Sequence, residues 1–377
     1  MQEVYRNPRL GQLPLLKILE ISGMDNVRCI GTEFYGKSRE QIPFPSLKEF
    51  YLCSMRSLTE WMAPSVTERS DAIAFPQLCC LEISGCPQLT SIPASHLSSL
   101  AQLEIDGCEE LSYLCDKFDA FFSLEDLRIS YCHNLVSIPS LGGLTSLKTL
   151  KIEECPKLTS LPNELQSCTL LEHLSIIWCD GLTSIAENLS ELCSLVYLEI
   201  TNCPNLIYCP KDILCCLSQL KDLRIGPFSK ELEYFSGLDS IQDLPLLEEL
   251  RIFGLDNLNS FPDQLQYLTG LMSACIRSFN EVKSLPKWLE NLSSLQYLEI
   301  WHCRNLMYLT KTTLCFSKLM RLHKCPVPFF KTIVPKGVAL SGPRFHISRK
   351  FSSINFARLQ VESFSWTLAA WRPCQER

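Results

Sequence analysis

Residues 147–162 have the sequence LKTLKIEECPKLTSLP, and this pattern recurs along most of the chain. With Leu147 as position zero, apolar residues follow at plus three, five, eleven and fourteen, a cysteine stands at plus eight, and Pro162 stands at plus fifteen. The first part alternates like a β-strand, whereas the second part suits a turn of 3₁₀ or loose helix that the proline would end. One such unit cannot bury its own apolar side, but stacked copies can.

Thirteen units share this pattern, with spacings of 22–27 residues after two longer early units of 31. The zero positions are Leu16, Leu47, Leu78, Leu100, Leu124, Leu147, Leu171, Leu195, Leu220, Leu247, Leu271, Leu295 and Leu319. Such a period is typical of leucine-rich repeats. We predict an α/β repeat solenoid, a leucine-rich-repeat horseshoe with a concave parallel β-sheet and a convex side of loops and 3₁₀ turns. It would span residues 13–325, after a lead-in (1–12) and before a basic, non-repeat tail (326–377).

Charge is distributed unevenly along the chain. The net charge is −6, with +6 on residues 326–377 and therefore −12 on residues 1–325. An acidic array is a poor nucleic-acid binder, because phosphate contacts require clustered Lys and Arg. No uncharged apolar stretch is long enough to predict a membrane span, and the N-terminus has no apolar core of a secretory signal. We therefore expect a protein ligand and a reducing, cytoplasmic compartment.

The 21 cysteines follow the repeat rather than a pairing scheme. Seven of them occupy plus eight: Cys86, Cys108, Cys132, Cys155, Cys179, Cys203 and Cys303. We predict that these thiols pack as small apolar groups and donate weakly to backbone carbonyls. The vicinal pairs Cys79–Cys80 and Cys215–Cys216 do not match the spaced pairs of a zinc site, so no metal is predicted.

A phosphate-binding motif also matches the chain. Residues 31–38 (GTEFYGKS) satisfy GxxxxGK[ST], whose fixed positions are Gly31, Gly36, Lys37 and Ser38. A working P-loop needs a helix that begins at the Lys-Ser step, so that backbone amides cradle phosphates. Pro43 and Pro45 would cut off such a helix, and we interpret the motif as a chance match with no cofactor. The histidines show no catalytic order with Ser, Cys or an acid, so no enzyme is predicted.

The open face of the predicted sheet is the expected binding surface, as in other solenoids. Plus three and plus five would point into the core, and plus one, two, four, six and seven would line the open face. The plus-four column begins acidic (Glu20, Glu82, Glu104) and then has basic bands at Arg128–Lys151 and Arg224–Arg251. Exposed Trp, Tyr and Arg are enriched in binding hot spots. The candidate protein-binding residues are His173, Trp178, Tyr197, Arg224, Arg251, Phe253, Tyr297 and Trp301.

Three segments carry a family resemblance: ISGCPQLTSIP (83–93), IEECPKLTSLP (152–162) and ITNCPNLIYCP (200–210). They closely resemble the repeats of plant intracellular nucleotide-binding, leucine-rich-repeat disease-resistance proteins of the coiled-coil type. The resemblance covers about residues 13–325, without the coiled-coil and nucleotide-binding domains of that family. It implies recognition of a pathogen effector or a guarded host protein, and a nucleotide-binding signalling partner.

Two other readings of the repeat stay open. One is the substrate-receptor arm of an F-box-type ubiquitin ligase, whose cysteine-rich leucine repeats usually lack the terminal Leu-Pro found here. The other is an extracellular receptor array, which would be expected to show a signal peptide, Asn at plus eight and an LxGxIP step.

Overall fold

The dominant element of the computed structural model is a parallel sheet of 13 strands in chain order. The structure describes residues 10–36, 42–63, 74–93, 97–114, 118, 121–185, 189, 191–207, 214–229, 238, 240–254, 258–306 and the backbone of 321–324. The predicted tail therefore lies outside the described residues. The sheet consists of β1 (Ile18–Ser22), β3 (Glu49–Cys53), β5 (Cys80–Ser84), β6 (Gln102–Asp106), β7 (Asp126–Ser130), β8 (Thr149–Glu153), β9 (His173–Ile177), β10 (Tyr197–Thr201), β11 (Asp222–Gly226), β12 (Glu249–Phe253), β13 (Ser273–Arg277), β14 (Tyr297–Trp301) and β15 (Arg321–Lys324). A separate pair joins β2 (Cys29–Ile30) to β4 (Glu60–Trp61).

The strand register follows the repeat. Each five-residue strand runs from plus two to plus six, and plus three pairs with plus three of the next unit, as Leu150 does with Leu174. Leu150 and Ile152 are fully buried while their neighbours along the strand are partly exposed, because successive strand residues point to opposite faces. The predicted leucine-rich-repeat solenoid is confirmed, with plus three and plus five in the core.

The segment after each strand is a tight turn followed by loop or 3₁₀ structure. The N–H of Leu158 (plus eleven) donates to the carbonyl of Cys155 (plus eight) at 3.1 Å. Among the described residues, 3₁₀ helices include Leu10–Gln12, Thr32–Tyr35, Leu165–Ser167, Ile241–Asp243, Asp263–Tyr267 and Lys287–Asn291. Pro262 and Pro286 stand immediately before the last two. The prediction that the proline ends a 3₁₀ turn was wrong: proline has a fixed φ and no N–H, which suits the start of a helical turn.

The residue at plus seven turns the chain out of the strand in the left-handed conformation. Its φ lies between 50° and 68° at Gly23, Ser54, Gly85, Gly107, Tyr131, Glu154, Trp178, Asn202, Ser278 and His302. The N–H of Glu154 donates to the carbonyl of Ile177 in the next unit at 2.9 Å, and equivalent bonds recur along the array. A non-glycine residue in this region costs about 1–2 kcal/mol, so the stacking must outweigh that strain repeatedly.

The plus-eight cysteines form a buried column directly after this turn. Each of the seven is at most 1% exposed. The thiols donate to the carbonyl two residues earlier, at 3.4 Å for Cys132 and 3.5 Å for Cys155, as predicted. Burial raises the thiol pKa to about 11 in Cys86 and Cys203, and to about 12 in Cys132 and Cys179.

The P-loop-like segment folds as structural support. Gly31 and Gly36 flank the 3₁₀ helix Thr32–Tyr35, whereas Lys37 and Ser38 lie outside the described residues. A short 3₁₀ helix occupies the place where a P-loop would have to wrap around phosphates.

The side chains of that helix belong to an aromatic core. The Phe34 ring lies 4.9 Å from Phe44, which in turn stacks on Phe75 at 5.0 Å. The indole N–H of Trp61 donates to the Tyr35 hydroxyl at 3.0 Å. The large aromatic residues of the first three repeat units therefore serve as packing residues.

The left-handed position predicts a pair of opposite stability changes. We expect Ser278→Gly to raise the free energy of unfolding by about 0.5–1 kcal/mol, because glycine removes the left-handed strain at some cost in backbone entropy. Gly85→Ala should lower it by about 1 kcal/mol or more, although a Cβ there meets nothing closer than 3.6 Å. Urea denaturation of both variants measures the two changes in the free energy of unfolding. Changes of the same sign would contradict the left-handed assignment.

The buried thiols predict a loss of stability at alkaline pH. Below pH 8.5 the Cys132 thiol is protonated in both the folded and the unfolded chain. Above that pH the thiol ionises in the unfolded chain, whereas in the folded chain it keeps its proton up to about pH 12. The free energy of unfolding should therefore fall by about 1.4 kcal/mol per pH unit for such a thiol over that window. Cys132→Ala should reduce the total slope by the share of this one thiol, because the other buried thiols keep theirs. Met55→Ala, a buried non-titrating residue at the same register, should leave it intact; equal slopes in both variants would refute the assignment.

Candidate protein-binding face

The tyrosine cluster (His173, Tyr197, Glu199, Asp222 and Arg224) lies on the open face of β9, β10 and β11. The Tyr197 ring is stacked near His173, with ring centroids 6.0 Å apart, and the guanidinium carbon of Arg224 lies 5.0 Å from its centroid. The Tyr197 hydroxyl donates to Glu199, and Arg224 pairs with Asp222 at 2.8 Å. Burial and the Glu199 charge raise the Tyr197 pKa, so the phenol stays a neutral donor.

The arginine stack (Phe253, Arg277 and Trp301) lies on the open face of β12, β13 and β14. All three side chains stand at plus six, and Arg277 pairs in register with both neighbours. Its guanidinium carbon lies 5.5 Å from the Phe253 centroid and 5.6 Å from that of Trp301. Its Nε donates to the Cys275 thiol at 3.4 Å. Cation–π contacts on two sides hold this guanidinium in place.

The sequence predicted the two aromatic residues of the stack and missed Arg277. The charges used to predict the binding surface stand at plus four, whereas Arg277 stands at plus six. The plus-six column gives Phe253, Arg277 and Trp301 in consecutive units, which is the signal that would have found the stack.

The predicted basic bands are largely neutralised on their own strands. Three of the plus-four cations form ion pairs with a carboxylate two residues away: Arg128–Asp126 (2.7 Å), Lys151–Glu153 (2.5 Å) and Arg224–Asp222 (2.8 Å). Arg251 and Arg277 differ, because no described carboxylate lies within 4.0 Å of either. These two guanidinium groups on neighbouring strands keep donors available for a ligand.

The acidic start of the face behaves differently. Glu82 and Glu104 pair in register on adjacent strands, so that their charges lie side by side. Burial, and then the charge of Glu82, raise the pKa of Glu104. Arg128 stands opposite Glu104 on the other side and offsets part of this repulsion. This half of the face is acidic, and its charges are not contiguous with the two unpaired arginines.

Trp178 and Tyr297 are the most accessible of the predicted aromatic residues. Trp178 is 51% exposed although it occupies the strained plus-seven position. A bulky side chain with positive φ is uncommon, and in this protein it presents an indole to solvent. Tyr297 is 37% exposed at plus two of β14, so both rings offer apolar surface beside the two clusters.

Neither a group of metal ligands nor a membrane-spanning helix is present in the part of the chain that the structure describes. There, no three His, Cys, Asp or Glu side chains are grouped closely enough to hold a metal ion. No helix in that part has the length and apolar character to span a bilayer.

Comparison with known proteins finds similarity between these repeats and those of plant resistance proteins. Residues 91–226 match the family model described as plant disease resistance protein RPS2-like, leucine-rich repeats. A disease resistance RPP13-like protein 1 of Arabidopsis thaliana is 38% identical over 139 residues, which are 35% of this chain and 13% of that protein. A second Arabidopsis thaliana disease resistance protein is 34% identical over 103 residues, 27% of this chain and 7% of that protein. The resemblance to the leucine-rich-repeat region of plant disease-resistance proteins is confirmed.

Solved structures include leucine-rich-repeat domains with partial similarity. The leucine-rich repeat domain of the type III effector XopL is 25% identical, with a TM-score of 0.45, over 67% of this chain and 77% of that domain. This chain matches only 13% and 7% of the length of the two Arabidopsis relatives.

The arginine stack predicts an asymmetric effect of two arginine substitutions. Arg277→Ala should lower the free energy of unfolding by about 1–2 kcal/mol, because two cation–π contacts are lost. Arg251→Ala should change it by less than about 0.5 kcal/mol. Urea denaturation of the two variants provides the measurement, and equal losses would contradict the stacking.

Proposed function

We propose that this chain is the protein-recognition module of a plant immune receptor and binds its ligand on the open face of β9–β14. The face is the concave side in solenoids of this kind, where extended partners are bound. The observation that carries the proposal is the pair of clusters, which together cover six consecutive strands. At about 4.8 Å per strand spacing, they extend over roughly 24 Å.

The composition of the face suits a protein ligand. Tyr, Trp and Arg supply large contact areas and are the residues most enriched in hot spots. Tyr197 and Arg277 are held by neighbouring side chains before any ligand arrives. Preorganised side chains lose less conformational entropy on binding.

The charge of the face indicates which ligand groups would be recognised. Arg251 and Arg277 have no described carboxylate partner, in contrast to Arg224. A guanidinium donates to a carboxylate through two parallel N–H groups. The ligand would therefore place Asp or Glu side chains, or a chain terminus, against β12 and β13.

The immune role comes from the relatives. Both Arabidopsis proteins are named as disease resistance proteins, and the family match over 91–226 supports this reading over a ubiquitin-ligase receptor. The ligand would be a pathogen effector or a host protein, met in the cytoplasm. A nucleotide-binding partner or domain would relay the signal.

Photo-crosslinking tests the binding face directly. With benzoylphenylalanine at position 178, the chain should form a defined adduct with one protein in extracts of infected leaves. The same group at Phe122, which is 64% exposed but stands two residues before the zero position Leu124 and so outside the open-face register, should not form it. An adduct profile identical at both positions would argue against the proposed face.

The crosslinked protein, once purified, permits a quantitative test. Trp178→Ala and Arg251→Ala should each weaken its binding about tenfold or more, as hot-spot truncations do. Neither change removes a side-chain contact of the two clusters, so the thermal midpoint should stay within a few degrees of the unsubstituted chain. Phe122→Ala serves as the matched surface control. Calorimetric affinities that do not change in either variant would overturn the proposal.

A further inference from the structure

Cys215 and Cys216 form a pair of adjacent thiols at the surface. They occupy the turn between Leu214 and Leu217, both of which are fully buried. The Leu217 N–H donates to the Leu214 carbonyl at 3.2 Å. The turn is thereby fixed at both ends, while the two cysteines project outwards and are exposed.

The two sulfur atoms are already close together. Their Sγ atoms lie 3.4 Å apart, so closing a disulfide requires an approach of about 1.4 Å. Side-chain rotation, together with strain in the ring that closes, accounts for this movement. The cysteines of the buried column differ: each is covered, and burial raises the pKa of thiols such as Cys132 and Cys179. Oxidants would meet the surface pair first.

We propose that Cys215 and Cys216 are a redox modification site, a dithiol that a peroxide converts reversibly into a vicinal disulfide. The inference concerns a surface outside the proposed binding face and stands independently of the proposed function. The turn leads into β11, which carries Asp222 and Arg224 of the tyrosine cluster, so the modification lies one loop away from that cluster.

The chemistry balances with the peroxide as the oxidant. One thiolate attacks a peroxide oxygen and the O–O bond breaks, which gives a sulfenic acid and one water or alcohol molecule. The neighbouring thiolate then attacks the sulfenic sulfur and displaces hydroxide, which leaves as water. Two protons and two electrons pass from the dithiol to the peroxide, and one S–S bond forms.

The bond would be readily reduced again. Adjacent Cα atoms are 3.8 Å apart across a trans peptide, below the 4.4–6.8 Å of ordinary disulfides. The ring that encloses one peptide bond is therefore strained. Strained and exposed disulfides have more oxidising potentials and are the labile, regulatory ones.

The other vicinal pair of the described residues provides an internal contrast. Cys79 is exposed and its thiol donates to the Lys48 carbonyl at 3.2 Å. Cys80 begins β5 and is half-buried, and burial raises its pKa. Successive residues at a strand point to different faces, so adjacency in sequence alone does not bring these two thiols into the same surface position.

Peptide mass spectrometry of the peroxide-treated full chain tests the proposal. Trypsin releases residues 212–221 (DILCCLSQLK), which contain these two cysteines and no other. After mild hydrogen peroxide treatment of the folded chain, this peptide should lose two hydrogen masses and resist N-ethylmaleimide. Dithiothreitol should restore both thiols, and the Cys79–Cys80 pair should remain a dithiol under the same conditions.

Cys216→Ser is the matched variant, because it retains an exposed Cys215 without its partner. Its Cys215 should give a sulfenic acid that dimedone traps, with no internal ring. The proposal is overturned if the unsubstituted peptide 212–221 keeps both thiols while exposed Cys193 is oxidised. It is also overturned if the ring forms only in urea.

Discussion

Each repeat unit, or rung, of this protein depends on the next one for its strand hydrogen bonds and for the burial of its apolar side chains. The plus-three and plus-five residues pack against the same positions of both neighbours, and the plus-eight thiol fills the turn beneath them. The left-handed residue before the cysteine donates its N–H to the following rung. Stability in such an array is a sum of rung and neighbour terms, so repeated small contacts outweigh repeated backbone strain.

This stacking buries one face of the sheet in the leucine core and leaves the other face outside it. Side chains at plus two, four and six of β9–β14 do not contribute to the leucine core, yet they include ordered clusters around Tyr197 and Arg277. The Arg224 guanidinium is paired with Asp222 on its own strand, whereas no described carboxylate lies within 4.0 Å of Arg251 or Arg277. The difference separates side chains that complete the fold from those that remain available to a ligand.

The sequence predicted the features that recur in every repeat unit, but it missed features that depend on contacts between neighbouring units. The core register and the cysteine column follow from spacing alone, because the same contact recurs in every unit. Arg277 was missed because its partners lie 24 residues away on each side, and only the sheet brings the three together. The left-handed turn was missed because the position accepts Tyr131, Glu154 and Trp178 as well as glycine, so composition gives no signal. The proline was assigned to the wrong end of the 3₁₀ turn because spacing does not distinguish a start from a stop.

Hydrogen–deuterium exchange of the full chain, read at peptide resolution, tests the stacked-rung account most directly. The account predicts slow exchange that recurs with the repeat, at residues 149–153, 173–177 and 197–201, with faster exchange in the segments that join them. Interior strand amides bond to the neighbouring rung, so protection should be similar in all three. Protection that does not recur in this register, or that is confined to one contiguous region, would contradict it.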